Sequence, residues 1–149
     1  MKPTIRAASE RDLPAIERVI YDAYKDYIPH IGKPPAPMTD DYRRQIEAGN
    51  VWVLLVEDRL VGLIVLVRQR DHMLLDNVAV APERHGCGLG RALMEFAEAT
   101  ARECGYHEIH LYTNELMHRN LALYKHLGYE ETARRLDSGF RRVFMKKTL

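Results

Sequence analysis

Three glycines alternate in the run Arg84-His85-Gly86-Cys87-Gly88-Leu89-Gly90-Arg91. An apolar stretch ends at Val80 just before them, and a helical pattern starts near Leu89 just after. Glycine takes up positive φ without a steric cost and lets a ligand approach the main chain closely. A helix start leaves N–H groups unpaired and carries partial positive charge. A strand, a glycine-rich turn and a helix start therefore read as a site for phosphate or diphosphate. Arg84, Arg91 and His85 add donors and charge nearby. A turn that only packs a helix close needs fewer glycines than three. Two other phosphate motifs do not fit. A P-loop needs Gly-Lys followed by Ser or Thr, whereas Gly90 is followed by Arg91 and Ala92. A G-x-G-x-x-G dinucleotide fingerprint begun at Gly86 or Gly88 would put its last glycine at Arg91 or Leu93.

Other chemistry-bearing side chains cluster by alternation. Asp76 stands two residues before Val78, so the two share a strand face, and Asp76 is a candidate base, acting directly or through water. The same position also suits a carboxylate that caps a turn or pairs with a surface cation. His110 and Tyr112 share a face of a later strand. His107 and His110, three apart on that strand, point to opposite faces and cannot share one ion, so no metal is expected. Tyr21, Tyr24, Tyr27 and Tyr42 flank a proline-rich segment. They offer aromatic walls to a cationic amine, helped by Asp40 and Asp41. Equally, Tyr24 belongs to a helix's core stripe. Tyr124 shares a face with Met117 and Leu121, which also suits a core aromatic. Cys87 lies in the glycine turn as an inert thiol.

The positioning elements follow from periodicity. Residues 3–7 predict a strand. Ser9 and Asp12 are caps for a helix with an apolar stripe at Leu13, Ile16, Ile20, Ala23 and Tyr24, and Pro14 fits its first turn. Residues 26–38 carry Pro29, Gly32, Pro34, Pro35 and Pro37 and predict an irregular loop. A short helix follows over 39–48, capped by Thr39-Asp40-Asp41 and stopped by Gly49. Residues 51–57 and 60–70 predict a hairpin turning at Asp58-Arg59, and 72–80 a third strand of the meander. Residues 89–104 give the clearest helix, stopped by Gly105. A strand over 108–113, a helix over 117–127 stopped by Gly128, and a strand pair over 132–136 and 141–147 complete the chain. Hairpin strands followed by two later helices predict an α/β (α+β) domain: a mixed, mostly antiparallel sheet flanked by helices.

Composition narrows the classes further. The 149 residues suit one domain, 1–149. With 46% hydrophobic and 29% charged residues the balance is globular, and a formal net charge of +1 argues against a nucleic-acid partner. The longest apolar run, 61–67, is far short of a membrane helix. The N-terminal residues lack the apolar run of a signal peptide. Two cysteines, Cys87 and Cys104, cannot form a disulfide framework, so a cytoplasmic location is expected.

The glycine turn and its flanks resemble the GNAT superfamily of acetyl-coenzyme A-dependent N-acetyltransferases. The family's turn, Gln or Arg-x-x-Gly-x-Gly or Ala, falls on His85-x-x-Gly88-x-Gly90, with His85 replacing the usual first residue. Its preceding strand, V-A-V-x-P, matches Val78-Ala79-Val80-Ala81-Pro82. A second block, Asn-x-Ala-x-Tyr before Gly-Phe or Gly-Tyr, matches Asn120-Leu121-Ala122-Leu123-Tyr124 and Gly128-Tyr129. Many members carry Asn seven residues before that Tyr, where Met117 stands here.

The resemblance implies a splayed sheet and acetyl-coenzyme A as cosubstrate. It implies that Val78, Ala79 and Val80 bind the pantetheine arm and that the main chain of His85, Gly86, Cys87, Gly88, Leu89, Gly90 and Arg91 holds the diphosphate. Asn120 joins that cofactor set. The N–H of Val80 polarises the thioester carbonyl, and Tyr124 protonates or hydrogen-bonds the leaving thiolate. An ordinary phenol near pKa ~10 protonates a thiolate near ~8.5 uphill, by roughly 2 kcal/mol, which favours the hydrogen bond. A place early in a helix would favour the phenolate slightly. The implied acceptor is a primary amine, on a small molecule or a protein, with Tyr24, Tyr27 and Tyr112 as candidate walls. A cofactor-binding sensor without turnover, a nucleotide-binding oxidoreductase and a transferase of longer acyl chains are the competing readings. The terminal strand pair offers an edge for a possible homodimer.

Overall fold

Both tight hairpins are built on a pair of left-handed residues. Glu57 and Asp58 have φ of 52° and 63°, and Ser138 and Gly139 have φ of 53° and 82°. Two consecutive positive φ values twist a two-residue turn to match the strands it joins. The computed structural model describes residues 2–149 and divides them into two compact units.

The first unit holds residues 2–66 and Asn77–Ala97. In it β1 (Thr4–Ala7), β2 (Val51–Val56) and β3 (Arg59–Arg68) lie in that order with the C-terminal half of β4 (Met73–Val80). The pairings of β1 with β2 and of β2 with β3 are antiparallel. Its helices are α1 (Leu13–Tyr24), α2 (Ile28–Ile31), α3 (Tyr42–Glu47) and the first part of α4 (Leu89–Glu103). The Asp12 carboxylate organises the entry to α1. It accepts the Ser9 N–H at 2.8 Å and both terminal nitrogens of Arg6, at 2.8 and 3.0 Å. Asp41 caps α3 by accepting the Arg44 N–H at 3.1 Å. The core of this unit is Ile16, Val53, Leu54, Leu63, Ile64 and Leu93, all essentially inaccessible.

The second unit holds Val67–Asp76 and Glu98–Leu149. Its order is β4, β5 (Glu108–Asn114), β7 (Phe140–Thr148) and β6 (Glu130–Asp137). The only parallel pairing described sets Met73, Leu74 and Leu75 of β4 against Ile109, His110 and Leu111 of β5. The others are antiparallel. The remainder of α4 and α5 (His118–His126) complete it. Glu98 of α4 is tied to Lys147 of β7 at 3.0 Å.

These elements bear out the mixed, mostly antiparallel reading. The first hairpin turns at Glu57 and Asp58, one residue before the expected Asp58-Arg59. Residues 26–38 are not irregular: a 3-10 turn at Lys25–Tyr27, the single turn of α2, and a 3-10 turn at Ala36–Met38 follow one another. Pro29 and Pro37 each sit in the first turn of their element, where the missing N–H has no helical partner and the fixed φ is already helical. The prolines start these turns instead of preventing them. Strands β6 and β7 also run further than expected, because the turn at Ser138 and Gly139 consumes only two residues.

Candidate active site

The burial pattern of β4 alternates strictly. Asp76, Val78 and Val80 are half-exposed, whereas Leu75, Asn77 and Ala79 are buried. Beyond Val80 the chain makes a 3-10 turn at Pro82–Arg84, passes through an exposed stretch from His85 to Gly88, and enters α4 at Leu89. Gly86 and Gly88 have φ of 82° and 79°. A Cβ built at Gly86, Gly88 or Gly90 would meet no atom within 4 Å, so the main chain there is open to a ligand. The first helical bond into this region runs from the Ala92 N–H to the Gly88 carbonyl at 3.0 Å. By α-helix geometry the amides of Leu89, Gly90 and Arg91 then have no partner earlier in the helix. The His85 ring folds back over the 3-10 turn, its Nε2 lying 3.1 Å from the Val80 carbonyl. A carbonyl only accepts, so Nε2 carries a proton. Arg91 pairs loosely with Glu95 at 3.4 Å, and Cys87 is exposed as a free thiol.

Behind β4, the buried face carries a polar relay. The Tyr24 hydroxyl donates to Asn77 Oδ1 at 2.6 Å and lies 3.2 Å from the Val78 carbonyl. Asn77 Nδ2 donates to the Tyr42 hydroxyl at 2.9 Å, and that hydroxyl donates to the Pro37 carbonyl at 2.5 Å. Tyr24 and Tyr42 are therefore core residues with their polar ends engaged, and Tyr27 is half-buried. Tyr21 is exposed, with Lys25 5.6 Å above its ring.

In the second unit Tyr112 donates to Asp76 Oδ1 at 2.5 Å. The Arg142 guanidinium lies 4.2 Å from the Tyr112 ring centroid and is held by Asp137 at 3.3 Å. Asp76 is thus paired with a phenol rather than a surface cation. His110 stacks on His72 with centroids 3.7 Å apart. Glu108 and Asp71 flank that stack, and each has its pKa pulled below the ordinary value, first by the hydrogen bond from its histidine.

Tyr124 and Leu121 lie on α5, Met117 stands at its N-cap, and all three are buried. It stands near the C-terminal end of the helix, which spans His118–His126, not early in it. The helix dipole there opposes the phenolate, and the expected assistance is withdrawn. Its ring is 6.1 Å from Tyr129, at an interplanar angle of 59°. The Met117 sulfur, where many family members have Asn, receives the Thr113 hydroxyl at 3.6 Å and Asn120 Nδ2 at 3.7 Å. The Tyr129 hydroxyl is buried without a hydrogen-bond partner. Burial pushes its pKa well above the usual phenol value, with the Glu98 carboxylate adding to the rise.

Sequence reasoning did not single out Asn77. An amide between Leu75 and Ala79 on the inward face of an otherwise apolar strand is the signal that marks it. Its partners are 35 and 53 residues away, so the pattern alone does not reveal them.

Comparison with known proteins gives a consistent result. The sequence profile of the acetyltransferase (GNAT) family matches residues 17–129. An uncharacterised N-acetyltransferase of Escherichia coli K12, YjgM, is 30% identical over 137 residues, covering 86% of this chain and 82% of that protein. Mouse N-alpha-acetyltransferase 80 is 39% identical over 87 residues, 52% of this chain but only 26% of the mouse protein. The PaiA N-acetyltransferase of Thermoplasma acidophilum, solved with coenzyme A, superposes with a TM-score of 0.80 at 18% identity, over the full length of both chains.

Proposed function

Because the chain belongs to the acetyltransferase (GNAT) family, we propose that it moves an acetyl group from acetyl-coenzyme A to a primary amine. The observation that carries this reading is the turn after β4. Two glycines with positive φ leave the main chain open on all three glycine positions, at a helix start, directly after the Val78-Ala79-Val80 strand end. These residues fit a diphosphate-bearing cosubstrate: exposed amides, partial positive charge and two flanking arginines. When bound, acetyl-coenzyme A supplies the activated thioester. Main-chain groups of Val78, Ala79 and Val80 hold its arm, and the amides from His85 to Arg91 hold its diphosphate. The Val80 N–H donates to the developing oxyanion.

On the acceptor side an alkylammonium near pKa ~10.4 must lose a proton before it attacks. Asp76, oriented by the Tyr112 phenol, takes that proton directly or through water and passes it to solvent. The neutral amine nitrogen forms the new C–N bond, the C–S bond breaks, the nitrogen's second proton passes through solvent to the departing thiolate, and Tyr124 donates a hydrogen bond to that thiolate. Asn120 steadies the start of α5 through Met117. Tyr27 offers an aromatic face to the cationic amine, whereas the Tyr112 ring already carries the Arg142 guanidinium and the Tyr24 hydroxyl is engaged by Asn77. The name of the mouse relative makes a peptide N-terminal amine the first acceptor to test.

The 149 residues form one acetyltransferase domain in this reading. Its two free cysteines suit the reducing cytoplasm. The exposed edge strand β6, with Leu136 on its surface, offers a homodimer edge. Among the described residues no helix is long and apolar enough to cross a membrane.

The test is calorimetry with coenzyme A, followed by thiol release from acetyl-coenzyme A with spermidine, lysine and short peptides of varied first residue. Binding with amine-dependent thiol release supports the proposal. Binding without any such release favours a sensor, and no binding at all removes both.

A further inference from the structure

We infer that Asn77 is a positioning residue that fixes the segment between α1 and α3, the acceptor-side wall, onto β4. The inference rests on the acetyltransferase reading for what that wall does, and on the relay geometry for how it is held. The Pro37 carbonyl can only accept, so the Tyr42 hydroxyl must spend its single proton there, at 2.5 Å. Tyr42 is then left to accept, which orients Asn77 Nδ2 towards it and Oδ1 towards the Tyr24 hydroxyl. The amide orientation is thus forced by a backbone oxygen and is not a free choice. Each member has its partner, and all three side chains are buried, Asn77 at 5% exposure. A fully satisfied buried network of this kind specifies one arrangement, because any other leaves a polar group unpaired away from water.

Two helices meet at this one amide, and a 3-10 turn joins them through Tyr42. Tyr24 is the last residue of α1, Tyr42 the first of α3, and Pro37 lies within the 3-10 turn at Ala36–Met38. The chain between them carries Tyr27, Asp26 and Asp40. A proline-rich connection without an anchor would sample many arrangements. Here its two ends are tied to the strand that also carries Val78 and Val80, and Pro37 is tied to the Tyr42 end. An acceptor then meets a preformed wall and does not bear the cost of ordering it.

The test uses the whole protein with Tyr42→Phe, which keeps the ring and removes only the hydroxyl, and Asn77→Leu as the second variant. Hydrogen exchange at the amides of Met38 and Thr39, bonded to the Pro35 and Ala36 carbonyls, is expected to rise at least tenfold in each variant, with exchange in β5 and β7 unchanged. The KM for the best amine of the panel is expected to rise at least fivefold, while kcat and the KM for acetyl-coenzyme A stay within twofold. The double variant should do no more than either single one, as members of one network behave. A merely structural amide would lower the melting temperature without this split between the two KM values. If wild type is active but Tyr42→Phe leaves the amine KM and local exchange unchanged, the positioning role is wrong and the acetyltransferase reading stands. If wild type accepts no amine and binds no coenzyme A, that reading fails, and the role of Asn77 at an acceptor wall fails with it.

Discussion

Replacing Gly88 by Ala tests the diphosphate grip with a magnitude that the structure supplies. At φ of 79° an L-residue sits in the left-handed region, which costs about 1–2 kcal/mol. An added Cβ meets nothing within 4 Å, so this backbone strain is the whole perturbation. The free variant relaxes towards negative φ, turning its amides away, and binding must restore them. The dissociation constant for coenzyme A should therefore weaken by about 5–30-fold. Gly105 provides the control. It also has positive φ, 83°, and also has open space, but it ends α4 far along the chain from the turn. Gly105→Ala should lower stability by the same amount, about 2–8 °C in melting temperature, and leave the dissociation constant alone. Calorimetry and thermal unfolding of both variants decide it. Unchanged affinity in Gly88→Ala, or equal weakening in the two variants, would refute the reasoning.

Three further outcomes are expected. Tyr124→Phe should lower kcat by roughly 10–100-fold in a thiol-release assay, the value of one hydrogen bond to a charged group, with coenzyme A affinity unaltered; full activity would leave Tyr124 as a core aromatic only. Tyr129→Phe removes a buried hydroxyl that has no partner and should raise stability by about 1 kcal/mol in denaturant unfolding. Asp12→Asn should cost about 1–2 kcal/mol at neutral pH, because the carboxylate holds Ser9 and Arg6. The hydrogen bond from Arg6 lowers the Asp12 pKa, so this contribution is present above the unfolded pKa and fades as pH falls through the folded one. The stability difference between the two proteins should shrink as pH falls below the ordinary carboxylate range.

What the chain determines locally was legible from its residues. The glycine spacing at 86, 88 and 90 announced an open turn at a helix start. The alternation in Met73–Val80 put Asp76, Val78 and Val80 on one face, as β4 shows. The apolar period of 89–104 gave α4 almost to the residue. Such features rest on backbone preference and side-chain period, which act over a few residues. The segment 26–38 misled because a proline reads as a breaker in sequence, yet starts a turn wherever the preceding chain presents its first helical position. The partners of Asn77, the pairing of Asp76 with Tyr112, and the burial of the Tyr129 hydroxyl arise only when distant strands and helices return to one another. A hydrogen bond has directional demands of a few tenths of an ångström, and no local pattern encodes which remote oxygen will meet them. Tertiary packing alone therefore decided how the segment between α1 and α3 is held.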